Sequence, residues 1–285
     1  MASGAGSIVF MTGLASTSAT GVVPPPPRIG PLLRDWRERR RMSQLDLALG
    51  AGVSARHVSF VETGRSRPSA EMVLQLAAGL DVPLRDRNQL LLAAGYAPVY
   101  GQRGLDGPEM GPVREALDQV LRGHEPYPAF VVDRHWGIVA GNRAVGLLTE
   151  GAAPDLLEPP VNILRLALHP DGIAPRIVNF AQVRAHLLGS LEAQAVATGD
   201  PALAALHEEL SGLPAGPPSS QDASGEIAVP LRIRWRDSQL SFISTVTTFS
   251  RATDITVAEL SIESFFPADQ ATAEALRDFA ALPPG

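Results

Sequence analysis

Apolar residues recur at helical spacing through the first third of the chain. Five short amphipathic segments lie between residues 32 and 95, and turn residues separate them. Ser43, Ser54 and Ser69 stand immediately before three of these segments, at the position where a serine hydroxyl caps the first turn of a helix. The pattern predicts five short helices in succession.

The second and third predicted helices are joined by the glycine-rich turn at residues 50–52. In the second helix, Leu45, Ala48 and Leu49 have the spacing of a buried stripe, and in the third Val58 and Val61 have it. Two short helices joined by a tight turn, with a further helix packed against them, are the parts of a helix-turn-helix. The second helix of such a pair enters the major groove of DNA.

The pattern changes to a mixture of helices and strands after about residue 108. Two short strands and several helices are followed by three strands with a hairpin turn, and a last helix closes the chain. The fold class is therefore α+β, with an all-α five-helix domain before an α/β domain that contains an antiparallel sheet. Predicted strands cover 129–132, 136–140, 226–236, 240–249 and 255–262, and predicted helices cover 113–123, 142–148, 174–198, 201–210 and 268–281.

Composition sets the domain boundaries. Four consecutive prolines at residues 24–27 favour an extended conformation, so residues 1–30 are predicted to be a flexible extension, in which Met11 is a second candidate start. The glycine-rich stretch at 101–107 separates a domain at 31–100 from one at 108–282.

The sequence shows no targeting or membrane-spanning segment. No basic residue precedes the apolar run at 8–11, as a secretory signal would require, and no apolar run is long enough to span a membrane. We therefore expect a cytoplasmic protein without a membrane partner.

Charge is distributed unevenly between the two predicted domains. The whole chain carries 24 basic residues, all of them Arg, against 30 acidic residues, and it has no Cys. Residues 28–103 hold 12 Arg and 7 acidic residues, a net charge of +5, whereas residues 104–285 hold 12 Arg and 23 acidic residues, a net charge of −11. This asymmetry is typical of a nucleic-acid-binding module joined to a separate partner domain, with chance fluctuation as the alternative.

The string SQLDLALGAGVSARHVSFVETGRSRPS at residues 43–69 resembles the Cro/CI-type helix-turn-helix of the lambda-repressor-like, XRE family. The resemblance places Ala55, Arg56 and Ser59 at the recognition positions. Arg56 suits a bidentate contact to guanine, whereas Ala55 departs from the polar residue often found there and suits a thymine methyl group.

The same resemblance implies contacts to the DNA backbone. Gln44 is expected to bond a phosphate or an adjacent base, and Ser54 and His57 to lie near the backbone. Arg65 and Arg67 are expected on phosphates or in the minor groove. Glu62, in contrast, is expected to pair inside the protein. The residues with expected DNA contacts are thus Gln44, Ser54, Ala55, Arg56, His57, Ser59, Arg65 and Arg67.

Three further strings, PYPAFVVDRHWGIVAGNRAV, NILRLALHPDGIAPRIVNF and SIESFFPADQATAEAL, resemble the ligand-binding domain of the MmyB-like transcription regulators of actinobacteria. The resemblance spans nearly all of 108–282. It implies a PAS-like domain that follows a helix-turn-helix and holds a fatty-acyl or similar apolar ligand. The residues themselves show only that apolar side chains are abundant.

Four residues are candidates for ligand contact in this second domain. Arg165 precedes the loop 168–172 and His169 lies in it; both suit an acidic head group, although hydrogen bonds that stabilise the loop are the favoured explanation of the two residues. Trp136 is a candidate contact that also suits a core position. Asn142 is a further candidate and is expected to cap the following helix.

No catalytic or metal-binding constellation is visible in the sequence. The six His residues show no His-x-x-x-His spacing, there is no Cys, and no glycine-rich loop has the pattern of a phosphate site. Asp133 and His135 are interpreted as turn residues. We therefore predict no enzyme activity, no catalytic residue, no metal and no cofactor, apart from a bound fatty acid or similar apolar ligand.

These observations lead to one functional hypothesis and two alternatives. The hypothesis is a transcription regulator that binds a double-stranded, (pseudo)palindromic DNA operator as a homodimer, and whose PAS-like domain binds a small apolar ligand that modulates operator binding. In the first alternative the second domain is a protein-interaction or dimerisation platform without a small-molecule ligand. In the second, an enzyme carries an appended DNA-binding domain. An enclosed apolar cavity would favour the ligand hypothesis over the platform.

Overall fold

The computed structural model describes residues 28–214 and 229–281, so the predicted extension at 1–30 lies outside the described residues up to residue 27. Within these ranges there are two compact units. One contains residues 28–103 and 251–258, and the other contains 104–214, 229–250 and 259–281. The described chain combines helices with one antiparallel sheet, which confirms the predicted α+β class.

The first unit contains the five predicted helices. Ser43, Ser54 and Ser69 each accept a hydrogen bond from the backbone N–H three residues further on, as predicted for N-caps. Asp46 completes a capping box by accepting from the backbone N–H of Ser43 at 2.8 Å. The helices are α1 (Ile29–Arg39), α2 (Gln44–Gly50), α3 (Ala55–Glu62), α4 (Ala70–Gly79) and α5 (Leu84–Ala93).

The core of this unit corrects one prediction about α2. Val58 and Val61 of α3 are fully buried, as predicted, and α2 buries Leu47 and Ala48. Leu45 and Leu49, which we expected to be buried, are 58% and 72% exposed. In so short a helix, the spacing of the apolar residues is compatible with more than one buried face. The packing of α2 against α3 and α4 buries the face that carries Leu47.

The second unit is built on a five-stranded sheet in the order β2-β1-β5-β4-β3, with every neighbouring pair antiparallel. The strands are β1 (Ala129–Val132), β2 (Ile138–Gly141), β3 (Leu231–Trp235), β4 (Ser238–Thr248) and β5 (Ser261–Pro267). The remaining helices along the chain are α6 (Gly111–Gly123), α7 (Val145–Thr149), α8 (Ile163–Leu168), α9 (Phe180–Thr198), α10 (Pro201–Ser211), α11 (Ile255–Ala258) and α12 (Gln270–Ala281).

The two faces of the sheet pack against different helices. On one face, which we call the inner face, Phe130, Phe242 and Phe265 join the largest apolar core together with residues of α7 to α10. On the opposite face, Val131 and Ile262 pack in a smaller core with α6. Sequence alternation along each strand therefore decides which side chains face the main core.

The connection between β4 and β5 corrects the strand that we predicted at 255–262. This stretch forms α11 and then the start of β5, because the Asp254 carboxylate accepts the backbone N–H of Thr256 at 2.9 Å and favours a helical turn. Residues 251–258 belong to the helical unit. There the N–H of Ile255 donates to the carbonyl of Gly101 at 2.8 Å, Arg103 pairs with Asp254 at 3.2 Å, and α11 contacts α5.

A close approach between α1 and the end of α3 requires glycine at residue 30. A Cβ atom at Gly30 would overlap the carbonyl oxygen of Glu62 and lie 2.8 Å from that of Val61. These oxygens belong to helix backbone, which cannot move aside without displacing α3. The position of the third helix thus depends on the missing side chain at Gly30.

We predict that Gly30→Ala destabilises the packing of α1 on α3 by about 1–3 kcal/mol, the usual cost of overfilling a packed site. Hydrogen–deuterium exchange of the α1 and α3 amides measures this loss. The matched control is Gly50→Ala, where a Cβ meets nothing within 4 Å and alanine favours the helix by up to about 1 kcal/mol. Equal protection in the two variants would contradict the close approach.

Candidate DNA-binding surface and inner-face site

The outward side of α3 presents two arginines around one aromatic ring. Arg56 and Arg65 are exposed, and their guanidinium carbons lie 5.2 Å and 5.9 Å from the ring centre of Phe60. Neither guanidinium makes a hydrogen bond within the described part of the chain. The cation–π contacts orient both side chains while leaving their N–H donors available. Ala55 and Ser59 lie partly exposed beside Arg56, at the predicted recognition positions.

Three of the other four predicted DNA contacts make hydrogen bonds within the protein. The Gln44 amide donates to Glu62 at 2.8 Å, and the Arg67 guanidinium donates to the carbonyl of Ala94 at 3.0 Å and 3.2 Å. Ser54 caps α3 while remaining exposed. Nε2 of His57 is shielded from solvent and has no hydrogen-bond partner among the described residues. The DNA roles of these four side chains stay predictions.

A buried ion pair orients α3. Glu62 is the last residue of α3, and its side chain is 3% exposed. The Glu62 carboxylate accepts hydrogen bonds from Nε and Nη2 of Arg37 at 2.7 Å and 3.0 Å. The amide of Gln44 shares the same carboxylate, and Arg37 also donates to the carbonyl of Met42 at 2.8 Å. The hydrogen bond to Glu62 raises the pKa of Arg37. As predicted, Glu62 pairs internally, and its carboxylate joins α1, α2 and α3.

Two of the candidate ligand residues hold the β1–β2 region together. The indole N–H of Trp136 donates to Gln194 of α9 at 2.9 Å, and its ring packs on the main core. Asn142 is buried. Its carboxamide accepts from the N–H of Ala129 at 3.1 Å and donates to the carbonyls of Tyr127 and Leu121 at 2.8 Å and 3.2 Å.

The expected capping role of Asn142 is therefore wrong, because its carboxamide is occupied by these backbone groups, and α7 begins three residues later without a side-chain cap. Its role in ligand contact, like that of Trp136, stays a prediction.

The other two candidates are engaged around α8. Arg165 donates twice to the Glu209 carboxylate, at 2.6 Å and 2.7 Å, and Nδ1 of His169 accepts from the backbone N–H of Asp171 at 3.1 Å. In the described ranges no side-chain hydrogen bond joins any two of the four candidates. A ligand head group would have to compete with Glu209 for Arg165.

A charged cluster that the sequence analysis missed connects three distant segments. Arg134, in the turn between β1 and β2, pairs with Asp200 and, at 3.2 Å, with Glu259. Burial alone would raise the pKa of Asp200, but hydrogen bonds from Arg134, His135 and the N–H of Ala202 outweigh it and lower that pKa to about 2. The Asp200 carboxylate therefore stays ionised and holds the hairpin turn to the start of α10.

Glu263 is the second residue that the sequence analysis missed. It lies in the central strand β5, where its register partners are Phe130 of β1 and Val246 of β4, so it shares the inner face with Phe265. The Glu263 side chain makes no hydrogen bond or ion pair with the described residues, and burial raises its pKa to about 7.

Accessible side chains continue from Glu263 along the same face of the sheet. Val246 is 58% exposed although it follows the buried Phe242 on the inner face. Ser244 and Thr248 on either side of Val246 are also exposed, whereas Phe130 and Phe265 are buried. We call this set the inner strip: Ser244, Val246, Thr248, Ser261 and Glu263.

The described residues contain neither a metal site nor a membrane helix. Across 28–214 and 229–281, no three His, Asp or Glu side chains come together as a metal ion would require. In the same ranges, each helix is too short or too polar to cross a membrane.

Comparison with protein families assigns both units. A sequence model of the helix-turn-helix family matches residues 33–86. The model described as the MmyB-like transcription regulator ligand binding domain matches residues 113–279, more than half of the chain. The chain belongs to the MmyB-like family. No curated protein matches it in sequence.

The family assignment supports a transcription regulator with a DNA-binding helix-turn-helix and a domain for a small-molecule ligand. Arg56 and Arg65 lie inside the matched helix-turn-helix range. Glu263 and the whole inner strip lie inside the matched MmyB-like range. The two surfaces described above thus fall in the two family domains.

We predict that Glu263→Gln stabilises the MmyB-like domain at pH 8. Because the fold favours the neutral acid, the wild-type carboxyl lowers stability once the pH exceeds its ordinary pKa of 4.5, and the loss grows until about pH 7. At about 1.4 kcal/mol per pKa unit, the variant is more stable at pH 8 by about 3 kcal/mol and equal to wild type at pH 4.

Urea unfolding at the two pH values measures the difference, with the exposed Glu158→Gln as a matched control that changes nothing. A Glu263→Gln protein that is less stable than wild type at pH 8 would show that the carboxylate has a stabilising partner.

Proposed function

We propose that this MmyB-like regulator is a cytoplasmic protein that binds a DNA operator through α3 and changes its operator affinity when a small apolar ligand binds the inner face of the sheet. The observation that carries the DNA half is the exposed Arg56. Its helix is fixed by the buried Arg37–Glu62 pair, and its guanidinium donors are unoccupied by the described residues.

In this proposal the basic domain at residues 31–100 recognises the base sequence of the operator with few side chains. Arg56 donates to O6 and N7 of a guanine, and Ala55 and Ser59 contact neighbouring bases. Arg65, exposed on the other side of Phe60, binds a phosphate. Helix-turn-helix proteins bind two half-sites one helical turn apart as dimers, so we infer a homodimer on a (pseudo)palindromic operator.

The domain at residues 108–282 is proposed to be PAS-like and to bind the ligand. The antiparallel order β2-β1-β5-β4-β3, with α7 to α10 between β2 and β3, supports this assignment. The family match supports a small-molecule ligand, and the apolar core on the inner face, which includes the buried Phe130, Phe242 and Phe265, is the reason for proposing a fatty-acyl or similar apolar one. The accessible inner strip gives such a ligand a place to bind against the sheet.

Coupling between ligand and DNA is proposed to pass through the β4–β5 connection. β4 and β5 carry the inner strip, and the segment that joins them, 251–258, is part of the helical unit through Gly101, Arg103 and α5. A ligand that shifts these two strands would therefore act on the helical unit through the covalent chain. It changes operator affinity only as far as it binds two states of the protein differently.

We predict that Arg56→Ala removes sequence preference while retaining non-specific DNA binding. With an operator selected from random duplexes by the wild-type chain, the variant should bind that operator about 5- to 150-fold more weakly, the equivalent of about 1–3 kcal/mol for one bidentate contact. Its affinity for unrelated duplexes should fall far less.

Arg65→Ala is the matched control, because it removes a cation from the same aromatic ring. It should weaken binding to all duplexes to a similar extent and reduce the slope of log affinity against log salt concentration by about 1. Equal operator affinity for Arg56→Ala and wild type in fluorescence anisotropy titrations would refute the assignment of Arg56.

A further inference from the structure

The second half of β4 lies at an open edge of the sheet. β3 pairs with residues 238–242 of β4, so the outer edge of residues 243–248 has no neighbouring strand in the ranges that the structure describes. The other edge of this stretch pairs with β5. Every side chain of residues 243–248, which we call the β4 edge, is exposed. The β4 edge is therefore accessible from both faces of the sheet and from the side.

Other edges of this sheet are covered by the chain itself. Along β3, the N–H of Val178 donates to the carbonyl of Arg232 at 2.8 Å, and the Asn179 carboxamide accepts the N–H of Arg232 at 3.1 Å. At β2, the N–H of Ile138 donates to the carbonyl of Val161 at 2.7 Å. An open edge is a template for another strand, so proteins usually cover it in this way or protect it with charged residues, proline or a bulge.

The β4 edge has none of these protective features. Its sequence, Ile-Ser-Thr-Val-Thr-Thr, contains no charged residue and no proline, and five of its six residues are β-branched. Its register with β5 is continuous, without a bulge. Uncharged strand formers at an open edge favour pairing with another strand. Since residues 104–285 carry a net charge of −11, this uncharged stretch is a place where two copies of the acidic domain can meet without like charges facing each other.

The strand register determines which backbone groups point out from the β4 edge. The N–H and carbonyl of Arg232 bond to the far side of β3, so those of Leu231 point to β4 and bond to Phe242 in the alternating pattern of antiparallel strands. Every second residue after Phe242 points to the same side. No described strand pairs with the outward N–H and carbonyl groups. These belong to Ser244, Val246 and Thr248.

We propose that the β4 edge pairs with the β4 edge of a second copy of this chain, antiparallel and about a twofold axis through Val246, so that one sheet runs through both ligand-binding domains. This inference rests on the homodimer of the proposed function and names its contact surface. In this register Val246 faces Val246, and Ser244 faces Thr248 of the second copy. All three outward residues then exchange hydrogen bonds with the other copy, and the same surface serves both.

The open length of the β4 edge fits one copy of itself. Thr248 of the second copy, the last residue of its β4, lies opposite Ser244. Leu231 of β3 begins two residues further along, opposite Phe242. The second copy therefore stops short of β3, and each β4 keeps its own hairpin.

Side chains on the face opposite the inner face also suit this register. Thr245 of each copy lies opposite Thr247 of the other, and threonine pairs are favourable across antiparallel strands. Ile243, which is 46% exposed, lies where Phe249 of the second copy leaves β4. Pairing therefore adds apolar contact at both ends of the joined strands.

The first test uses the absence of cysteine from the sequence. Val246→Cys places a thiol opposite its counterpart across the proposed axis. The two Cα atoms of such a pair lie about 5.5 Å apart, within the range of a disulfide. Mild oxidation of the full chain at low concentration should give a covalent dimer. Gln239→Cys, exposed on the half of β4 that pairs with β3, is the matched control and should stay non-covalent.

The second test changes the charge across the axis. Thr245→Glu/Thr247→Glu places Glu opposite Glu twice, so it should raise the dimer dissociation constant about tenfold or more in analytical ultracentrifugation. Thr245→Arg/Thr247→Glu changes the same exposed positions but places Arg opposite Glu, so it should keep the dimer. Circular dichroism of both variants checks that each is folded.

The outcomes separate this inference from the homodimer on which it rests. If wild type is a dimer that persists in the double-Glu variant, and Val246→Cys does not cross-link, the homodimer stands but uses another surface and the β4 edge assignment is wrong. If wild type is a monomer both free and on operator DNA, the homodimer and the inference fail together. A monomer in which the Val246→Cys thiol also resists alkylation would show that the chain itself covers the β4 edge.

Discussion

One buried ion pair determines how the DNA-binding surface is presented. The Glu62 carboxylate, at the end of α3, receives hydrogen bonds from Arg37 of α1 and Gln44 of α2, so three helices meet at a single group. Such a pair adds little net stability over an apolar contact, but breaking it leaves an uncompensated charge, so it strongly favours one arrangement. Gly30 permits the same arrangement by letting α1 approach the α3 backbone. The outward direction of Arg56 follows from these two constraints.

The second unit places an accessible polar group where a sheet normally buries apolar residues. Glu263 occupies the central strand, and the two strands that form the inner strip are joined by a segment that packs with α5 in the other unit. In the proposed function, the stretch 251–258 is the connection through which a ligand on β4 and β5 acts on the helical unit.

Local signals predicted much of the fold, because caps and periodicity act over a few residues. The serine caps, the five helices and the buried Val58 and Val61 all have such local causes. The buried side of α2 depended on its neighbours, and the turn of helix at Ile255 depended on Asp254. Glu263 escaped notice because the predicted strand ended at residue 262, whereas β5 covers Ser261–Pro267, and because its register with β1 and β4 is a tertiary property.

The central claim is that occupancy of the inner face changes DNA binding. The most direct test is the operator Kd of the full chain, stripped of bound lipid and measured with and without a saturating long-chain fatty acid. The account predicts a change of at least fivefold, the lower end of ordinary coupling between sites. An identical operator Kd with and without the bound fatty acid would contradict it.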